Sequence, residues 1–324
     1  MEGTKNIQDM LDEVNEFLEN QQETSKAITS LAQYTSVDAL RSITSNLVYK
    51  RNKTYFILRA TNALYTNDRD ELKHGYDFLI TTLQQIEANI DSGSNCPESL
   101  YLSNYAKELS FSKKYQDISH EKIMEWFYSG IRTPYFISLT RKVDDLTMWN
   151  KSYGRNGEGV CIVLDFSKME YQNTELIINA PMMIAYTQSV GYYQTTTTLM
   201  ETIFKAYNSY LRGVRNIEKE DILDLKLQTI ESMCAFISSY FKGKQWHDEQ
   251  EWRIMCTTIK EHATCIKYDN NDRPYVEVSI PLSCLKKIIL GPKVDNSIVH
   301  EFKGNARLLG LSPEDVMKSE EPLK

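Results

Sequence analysis

The sharpest local feature of the sequence is the stretch 248–253, which reads Asp-Glu-Gln-Glu-Trp-Arg. Side chains two apart on a β-strand share a face, so a strand here puts Glu249, Glu251 and Arg253 together and turns Trp252 toward the core. Two carboxylates about 7 Å apart repel each other, which favours retention of a proton by one of them. Such a pair suits acid/base chemistry or stabilisation of a developing cation, while Arg253 anchors a phosphate or balances charge.

The same hexapeptide also fits a solvated ionic face on an edge strand with no catalytic role. A Glu-x-Glu pattern is short, and the residues alone leave both interpretations open. His247 precedes the acidic stretch and is interpreted either as an aid to proton transfer or as an exposed loop histidine.

A second group of candidates combines hydroxyl and aromatic side chains. Residues 145–153 predict a short helix on which Trp149 and Tyr153, four apart, share one face. Aromatic rings stack on a nucleotide base or nicotinamide, and the hydroxyls of Ser138 or Thr140 can hydrogen-bond a ribose or an amide. Two core aromatics would show the same spacing.

The elements that must hold these side chains alternate between strands and helices. Tyr34, Thr35 and Arg59 fall on early strands as a third polar edge, and Ser36 is an N-cap that opens a helix. Further strands are predicted at Tyr55–Arg59, Tyr135–Thr140, Gly159–Asp165, Ile184–Tyr193, Glu249–Thr258, Tyr275–Ile280 and Leu285–Leu290. We therefore expect an amphipathic helix over residues 1–30 and one α+β domain over 31–324, with a helical insertion at about 196–242.

Composition narrows the function classes. A chain of 324 residues, 41% of them hydrophobic, builds its core without disulfides, and a net charge of -7 disfavours a general nucleic-acid-coating role. Six scattered cysteines and five histidines lack zinc-ligand spacing, so we expect reduced thiols and no structural zinc. There is no signal-like N-terminus and no apolar run of about 20 residues, which predicts a cytoplasmic protein without a membrane partner. Rossmann, P-loop, zincin and hydrolase motifs are missing too.

Several short motifs follow one another in a particular order along the chain. They are Tyr34-Thr35-Ser36, Asn67-Asp68-x-x-Glu71, Ser138, Met148-Trp149-x-x-x-Tyr153, Gly159-Val-Cys-Ile, Lys244-x-Trp246-x-x-Glu249-x-Glu251-Trp252-Arg253 and Ile289-Leu-Gly-Pro292. From about Leu31 almost to the C-terminus, this order resembles the bacterial domain-of-unknown-function family twenty-nine seventy-one. The strand order and late Glu-x-Glu also resemble the split, mostly antiparallel β core of ADP-ribosyltransferases, whose relatives include bacterial toxins and phage-defence effectors.

The second resemblance implies that NAD is the substrate. Glu251 would then stabilise an oxocarbenium-like ribose, and Glu249 would orient the acceptor, or a water in an NAD glycohydrolase. The remaining roles implied are ribose or carboxamide binding by Tyr34, Thr35 and Ser138, stacking or walling by Trp149 and Tyr153, and diphosphate binding by Arg59. The chain departs from the transferase patterns in two places, since Tyr34 stands where one class has histidine and residues 138–140 only partly match Ser-Thr-Ser.

Two other classes of function compete with this interpretation. The first is a non-catalytic sensor module of a defence system that binds a nucleotide or a partner. The second is a metal-dependent nucleic-acid-processing enzyme, in which Glu249 and Glu251 need a third carboxylate such as Asp68 or Asp165. The sequence identifies neither the acceptor, protein or nucleic acid, nor a regulatory protein partner.

Overall fold

The structure is a computed structural model that describes most of the chain from residue 30 onward. The described residues are 30–65, 71–91, 98–109, 134–151, 153–170, 173, 175–186, 192–215, 221–223, 225–226, 229–230, 233, 237, 239–258 and 264–322. The predicted helix before residue 30 lies outside them, and so does Asp68 of the metal hypothesis.

Strands and helices alternate along the described chain. The strands are β1 (Leu31–Ser36), β2 (Val48–Lys50), β3 (Lys53–Asn62), β4 (Tyr135–Thr140), β5 (Gly159–Leu164), β6 (Leu176–Ile178), β7 (Met182–Met183), β8 (Ala185–Tyr186), β9 (Phe241–Lys242), β10 (Glu251–Thr258), β11 (Lys267–Tyr268), β12 (Pro274–Pro281), β13 (Leu285–Leu290) and β14 (Val316–Lys318). The α-helices with defined bounds are α1 (Val37–Ser45), α2 (Glu71–Asp91), α3 (Leu102–Leu109), α4 (Leu146–Trp149), α5 (Tyr192–Val214) and α6 (Asn296–Asn305).

Twelve described strands form one sheet, in which every described pair is antiparallel except β13 with β14. The short strands β8 and β9 pair in parallel as a separate ribbon. The predicted α+β class with a mostly antiparallel sheet is therefore confirmed.

The sheet forks at β4. Strand β10 pairs with the whole length of β4, from Glu251 opposite Thr140 to Cys256 opposite Tyr135, and so occupies one edge of β4. The other edge binds β3 at residues 135–136 and β1 at Thr140. One branch then continues through β3, β12 and β11, and the other through β1, β5, β13 and β14.

The two sides of the sheet have different characters. Ile137 and Ile254 are partners on one side, which we call the core face, and they join the largest hydrophobic cluster with residues of β3, β5, β12 and α6. Trp252 packs against that cluster, as predicted. Ser138 and Arg253 are partners on the opposite side, which we call the site face.

The site face is covered at two places. A helical cluster with residues of α2, α3 and α5 packs on Phe136 and Met255. A second cluster, around Tyr34 and Trp149, covers the branch that begins with β1. On β4, Ser138 lies between Phe136, which the helical cluster covers, and Thr140, which pairs with β1. Its side chain is exposed, so the site face is open to solvent there.

A helix begins a few residues before position 196, where the start of a helical insertion was predicted. Strand β8 ends at Tyr186, and Tyr192 already belongs to α5, so the predicted strand Ile184–Tyr193 is wrong at its end. Further helical residues follow between 221 and 237. Among the described helices, none combines the length and the hydrophobicity that a membrane span requires.

Local signals explain two helix boundaries. Ser36 is the N-cap of α1, and its Oγ accepts a hydrogen bond from the Ala39 amide at 3.0 Å, as predicted. The predicted helix over 145–153 shrinks to α4, because the Lys151 amide turns back to the Met148 carbonyl and the chain leaves the helix. Tyr153 therefore does not share a helix face with Trp149.

The cysteines that the structure describes, Cys161, Cys256, Cys265 and Cys284, are free thiols, and all but Cys265 are buried. For these four residues, the prediction of mostly buried cysteines is confirmed.

Candidate active site

Glu251 is the first residue of β10, and the neighbouring chain fixes its backbone. Its amide donates to the Tyr186 hydroxyl at 2.7 Å, and its carbonyl accepts from the Ile184 amide at 3.0 Å. The residue is 4% exposed, on the site face beside Thr140. The position of its carboxylate is therefore set from both the sheet and the strand that follows β7.

Glu249 is not on the strand, and the prediction that strand alternation aligns it with Glu251 is wrong. It ends a 3₁₀ turn over Lys244–Glu249, and Gln250 is left-handed with φ 44°. The Glu249 carbonyl accepts a hydrogen bond of 2.6 Å from Thr140 Oγ1, which ties the turn to β4. The backbone between the two glutamates is therefore left-handed at Gln250 and does not continue as a strand.

Lys242 nevertheless brings the two carboxylates together. Its Nζ lies 2.7 Å from Glu249 Oε2 and 2.9 Å from Glu251 Oε2, and its side chain is 11% exposed. Pairing of β8 with β9 puts Lys242 opposite Tyr186, whose hydroxyl binds Glu251. No sequence motif singles out Lys242, although a lysine directly after Tyr240 and Phe241, both buried, signals an ammonium group that needs partners.

Arg253 balances the charge of Glu251 rather than awaiting a phosphate. Its Nε lies 2.8 Å from Glu251 Oε1 and its Nη2 lies 3.1 Å from Oε2, a bidentate arrangement. Its Nη1 donates to the Ser239 carbonyl at 2.6 Å, and its guanidinium carbon lies 3.9 Å from the centre of the Phe136 ring. Arg253 is 1% exposed and β10 has partners on both edges, so the solvated-edge interpretation is wrong.

Burial and neighbouring charges shift the pKa values of Glu251 and Lys242 in opposite directions. Burial raises the pKa of Glu251, against the lowering effects of Lys242 and the Ser138 hydroxyl. Burial alone would lower the pKa of Lys242, but the two carboxylates raise it well above its usual value. Lys242 therefore stays protonated at neutral pH.

Two predicted site residues do reach the carboxylates. Ser138 lies diagonally across from Glu251 on the site face, where its exposed side chain lowers the pKa of the Glu251 carboxyl group. The Tyr153 hydroxyl donates to Glu249 Oε1, and burial together with this carboxylate raises the pKa of Tyr153. Ser138 thus connects the buried carboxylate with the open part of the site face.

Lys151 and Trp246, for which the sequence predicts no role, border the same carboxylates. Lys151 Nζ lies 3.6 Å from Glu249 Oε1. The Trp246 ring centre lies 5.1 Å from Lys151 Nζ and 5.0 Å from Lys242 Nζ. A cation over an aromatic ring is attracted by the electron-rich ring face, which keeps the two lysines near one another despite their charge.

Two of the predicted cofactor-binding residues are used by the fold itself. Tyr34 donates to the Lys142 carbonyl at 3.1 Å and accepts from the Asp145 amide at 3.0 Å. Trp149 is 0% exposed, donates from Nε1 to Asp144 Oδ1 at 2.9 Å, and meets the Tyr34 ring edge-on. Trp149 has no accessible face for a stacked ligand, so the stacking role is wrong for this conformation and only a role as a wall behind the site remains.

Two others point elsewhere. Thr35 pairs with Val160 of the large hydrophobic cluster and so lies on the core face, whereas Glu251 lies on the site face. This position contradicts the predicted role of Thr35 in binding. Arg59 lies on the site face, but in the branch beyond the fork, where its guanidinium carbon lies 4.6 Å from the Tyr275 ring centre. The contacts of the described residues do not bring Arg59 to the carboxylates.

The metal hypothesis gains no support from the described part of the chain, where no group of three or more His, Cys, Asp or Glu residues is arranged to hold a metal ion. Asp165 instead accepts from the Ser167 amide at 3.1 Å and caps the 3₁₀ turn after β5. His247 is exposed and meets the Tyr186 ring edge-on at 5.5 Å, so it lies close to the site but outside the hydrogen bonds described above.

Fold and site together define an α+β protein with a buried pair of glutamates, held by lysine and arginine, that reaches solvent beside a serine. Residues 148–254 match a family model described as "Protein of unknown function (DUF2971)". The match supports the resemblance to that family over these residues, a narrower range than the one predicted from the motifs. No curated protein and no solved structure matches the chain.

Proposed function

We propose that this protein is an NAD-consuming enzyme, an ADP-ribosyltransferase or NAD glycohydrolase, with Glu251 as the group that stabilises the transition state. The observation that carries the proposal is the buried Glu251 carboxylate, held by Lys242 and Arg253 on the site face, beside the exposed Ser138. This arrangement lets a bound ribose approach a fixed negative charge from solvent. A role as a bacterial toxin or defence effector is part of the same proposal and rests on the family resemblance.

The chemistry needs one carboxylate close to the ribose. The bond between C1′ and the nicotinamide nitrogen breaks, and its electron pair leaves with nicotinamide, which becomes neutral. Positive charge then spreads over C1′ and the ring oxygen, where a preorganised carboxylate stabilises it more than it stabilises the substrate. Glu251, whose backbone has partners on both sides, is held without reorganisation.

Glu249 is suited to the second half of the reaction. A water or an acceptor group forms the new bond to C1′ and must lose a proton, which a carboxylate nearby can accept. Glu249 and Glu251 both bind the Lys242 ammonium group, and Glu249 also accepts a hydrogen bond from Tyr153. Tyr153 thus orients the carboxylate that receives the proton.

The test uses adenine-labelled NAD, incubated with the protein and cell extract. We expect label to be transferred to an acceptor or released as ADP-ribose, with a loss of about 100-fold or more in Glu251→Gln and about tenfold in Ser138→Ala. Glu277→Gln is the matched control, because Glu277 is paired with Lys267 on the other branch. Unchanged label with wild-type protein would contradict the proposal.

One observation favours a second candidate, a non-catalytic nucleotide-binding module. Both carboxylates already have cationic partners within 3 Å, as expected for a structural network. A module of this kind would be stabilised thermally by NAD without turning it over. The same labelled-NAD assay, run beside a thermal denaturation series with NAD, separates the two.

A further inference from the structure

The cations around the two glutamates outnumber them. Glu249 and Glu251 contact Lys151, Lys242 and Arg253, so among the described side chains in contact here one positive charge remains when both carboxylates are ionised. A proton on either carboxylate would increase the excess. A partly buried cluster with a surplus of one sign attracts a ligand group of the other sign.

The three cations are not equivalent. Arg253 and Lys242 have side chains 1% and 11% exposed, and each makes hydrogen bonds shorter than 3 Å to a carboxylate. Lys151 is 28% exposed, and its 3.6 Å approach to Glu249 is too long for a hydrogen bond. Lys151 is therefore the cation whose ammonium hydrogens are available to a ligand.

Trp246 adds a second, independent indication at the same place. Its ring centre lies 5.1 Å from Lys151 Nζ, and its Nε1 is buried with no hydrogen-bond partner among the described residues. A buried indole N–H without a partner is costly and is satisfied when an acceptor atom binds beside it. An ammonium group and an N–H donor at one aromatic ring both favour an anionic oxygen ligand.

We propose that Lys151 and Trp246 form a subsite for the diphosphate of a nucleotide ligand, next to the Glu249–Glu251 pair. This inference rests on the proposed function for the identity of the ligand and replaces Arg59, the residue predicted to meet the diphosphate. A lysine binds phosphate oxygens as a point charge, so the subsite holds the diphosphate without fixing the adenine.

Binding of ADP and of adenosine, which differ only in the diphosphate, tests the subsite by calorimetry without any turnover. We expect wild-type protein to bind ADP more tightly than adenosine, and Lys151→Gln to lose about tenfold in ADP affinity with adenosine unchanged. Lys151→Arg should retain most of the affinity. Lys303→Gln, an exposed lysine on α6, is the matched control.

Equal affinity of wild type for ADP and adenosine would overturn the inference, as would ADP affinity that Lys151→Gln leaves unchanged, or no ADP binding at all. Urea unfolding of each variant shows whether it is folded in the assay. Because ADP does not react, a Lys151-dependent affinity supports the subsite even when labelled NAD is not consumed. Failure of the subsite and failure of the proposed enzyme activity are thus distinguishable.

Discussion

Glu251 and Arg253 lie two residues apart on β10 and form a bidentate ion pair, with Nε 2.8 Å from Oε1 and Nη2 3.1 Å from Oε2. Both side chains are almost completely buried. The alternation of the strand directs them to one face, and the planar guanidinium fits the two carboxylate oxygens. The pair is therefore both a structural element of the sheet and the support of the proposed catalytic carboxylate.

Removal of Arg253 should destabilise the protein strongly. Arg253→Met leaves Glu251 buried with Lys242 as its remaining cation, and breaking a buried pair costs about 3–5 kcal/mol. We expect that loss in the free energy of unfolding, measured by urea denaturation. Arg59→Met, which removes an exposed cation from the Tyr275 ring, should cost less than about 1 kcal/mol. Similar losses in the two variants would contradict the structural role of Arg253.

The contribution of Lys242 should depend on pH in the alkaline range. The two carboxylates raise the pKa of folded Lys242 above its unfolded value of about 10.4. A raised folded pKa gives stability that is complete below the unfolded pKa and is lost as pH rises toward the folded pKa. The stability difference between wild type and Lys242→Met should therefore be constant from pH 7 to 9 and about 1 kcal/mol smaller at pH 11. Urea unfolding at each pH measures it, and a difference that grows with pH would show the opposite sign.

Gln250 separates the two glutamates by a left-handed residue, with φ 44°. Glycine adopts this conformation without a steric penalty, whereas a β-branched side chain does so poorly. Gln250→Gly should keep or raise the free energy of unfolding by up to about 1 kcal/mol, and Gln250→Val should lower it by about 1–2 kcal/mol. Thermal denaturation distinguishes them. Equal stability of both variants would mean that the reversal at Gln250 is not required.

Two glycines should respond to alanine with opposite signs. A Cβ on Gly154 would lie 2.2 Å from the Met148 carbonyl oxygen and 2.7 Å from the Trp149 Cα, so Gly154→Ala should destabilise the protein by about 1–3 kcal/mol. A Cβ on Gly304, in α6, meets none of the described atoms within 4 Å, so Gly304→Ala should stabilise the protein by about 0.5 kcal/mol. The two melting temperatures check both signs, and a stabilised Gly154→Ala would refute the close packing of α4 against the following turn.

Local patterns predicted the features that depend on local physics. The two-residue repeat correctly turned Trp252 to the core, and the serine before a helical pattern correctly identified Ser36 as an N-cap. The same reasoning failed at Glu249 and Tyr153, where the chain leaves regular structure at Gln250 and after Trp149. A prediction from periodicity assumes that a helix or strand continues. It does not include the contacts that end the helix or strand.

The sequence by itself determined that Glu251 and Arg253 share a face, because strand alternation needs no information from elsewhere in the chain. Only the tertiary structure decided what surrounds them. Ser138 reaches Glu251 by pairing of β4 with β10, and Lys242 reaches both glutamates by pairing of β8 with β9. These contacts, and the burial that shifts the pKa of Glu251, come from long-range pairing and packing, which the spacing of residues along the chain does not encode.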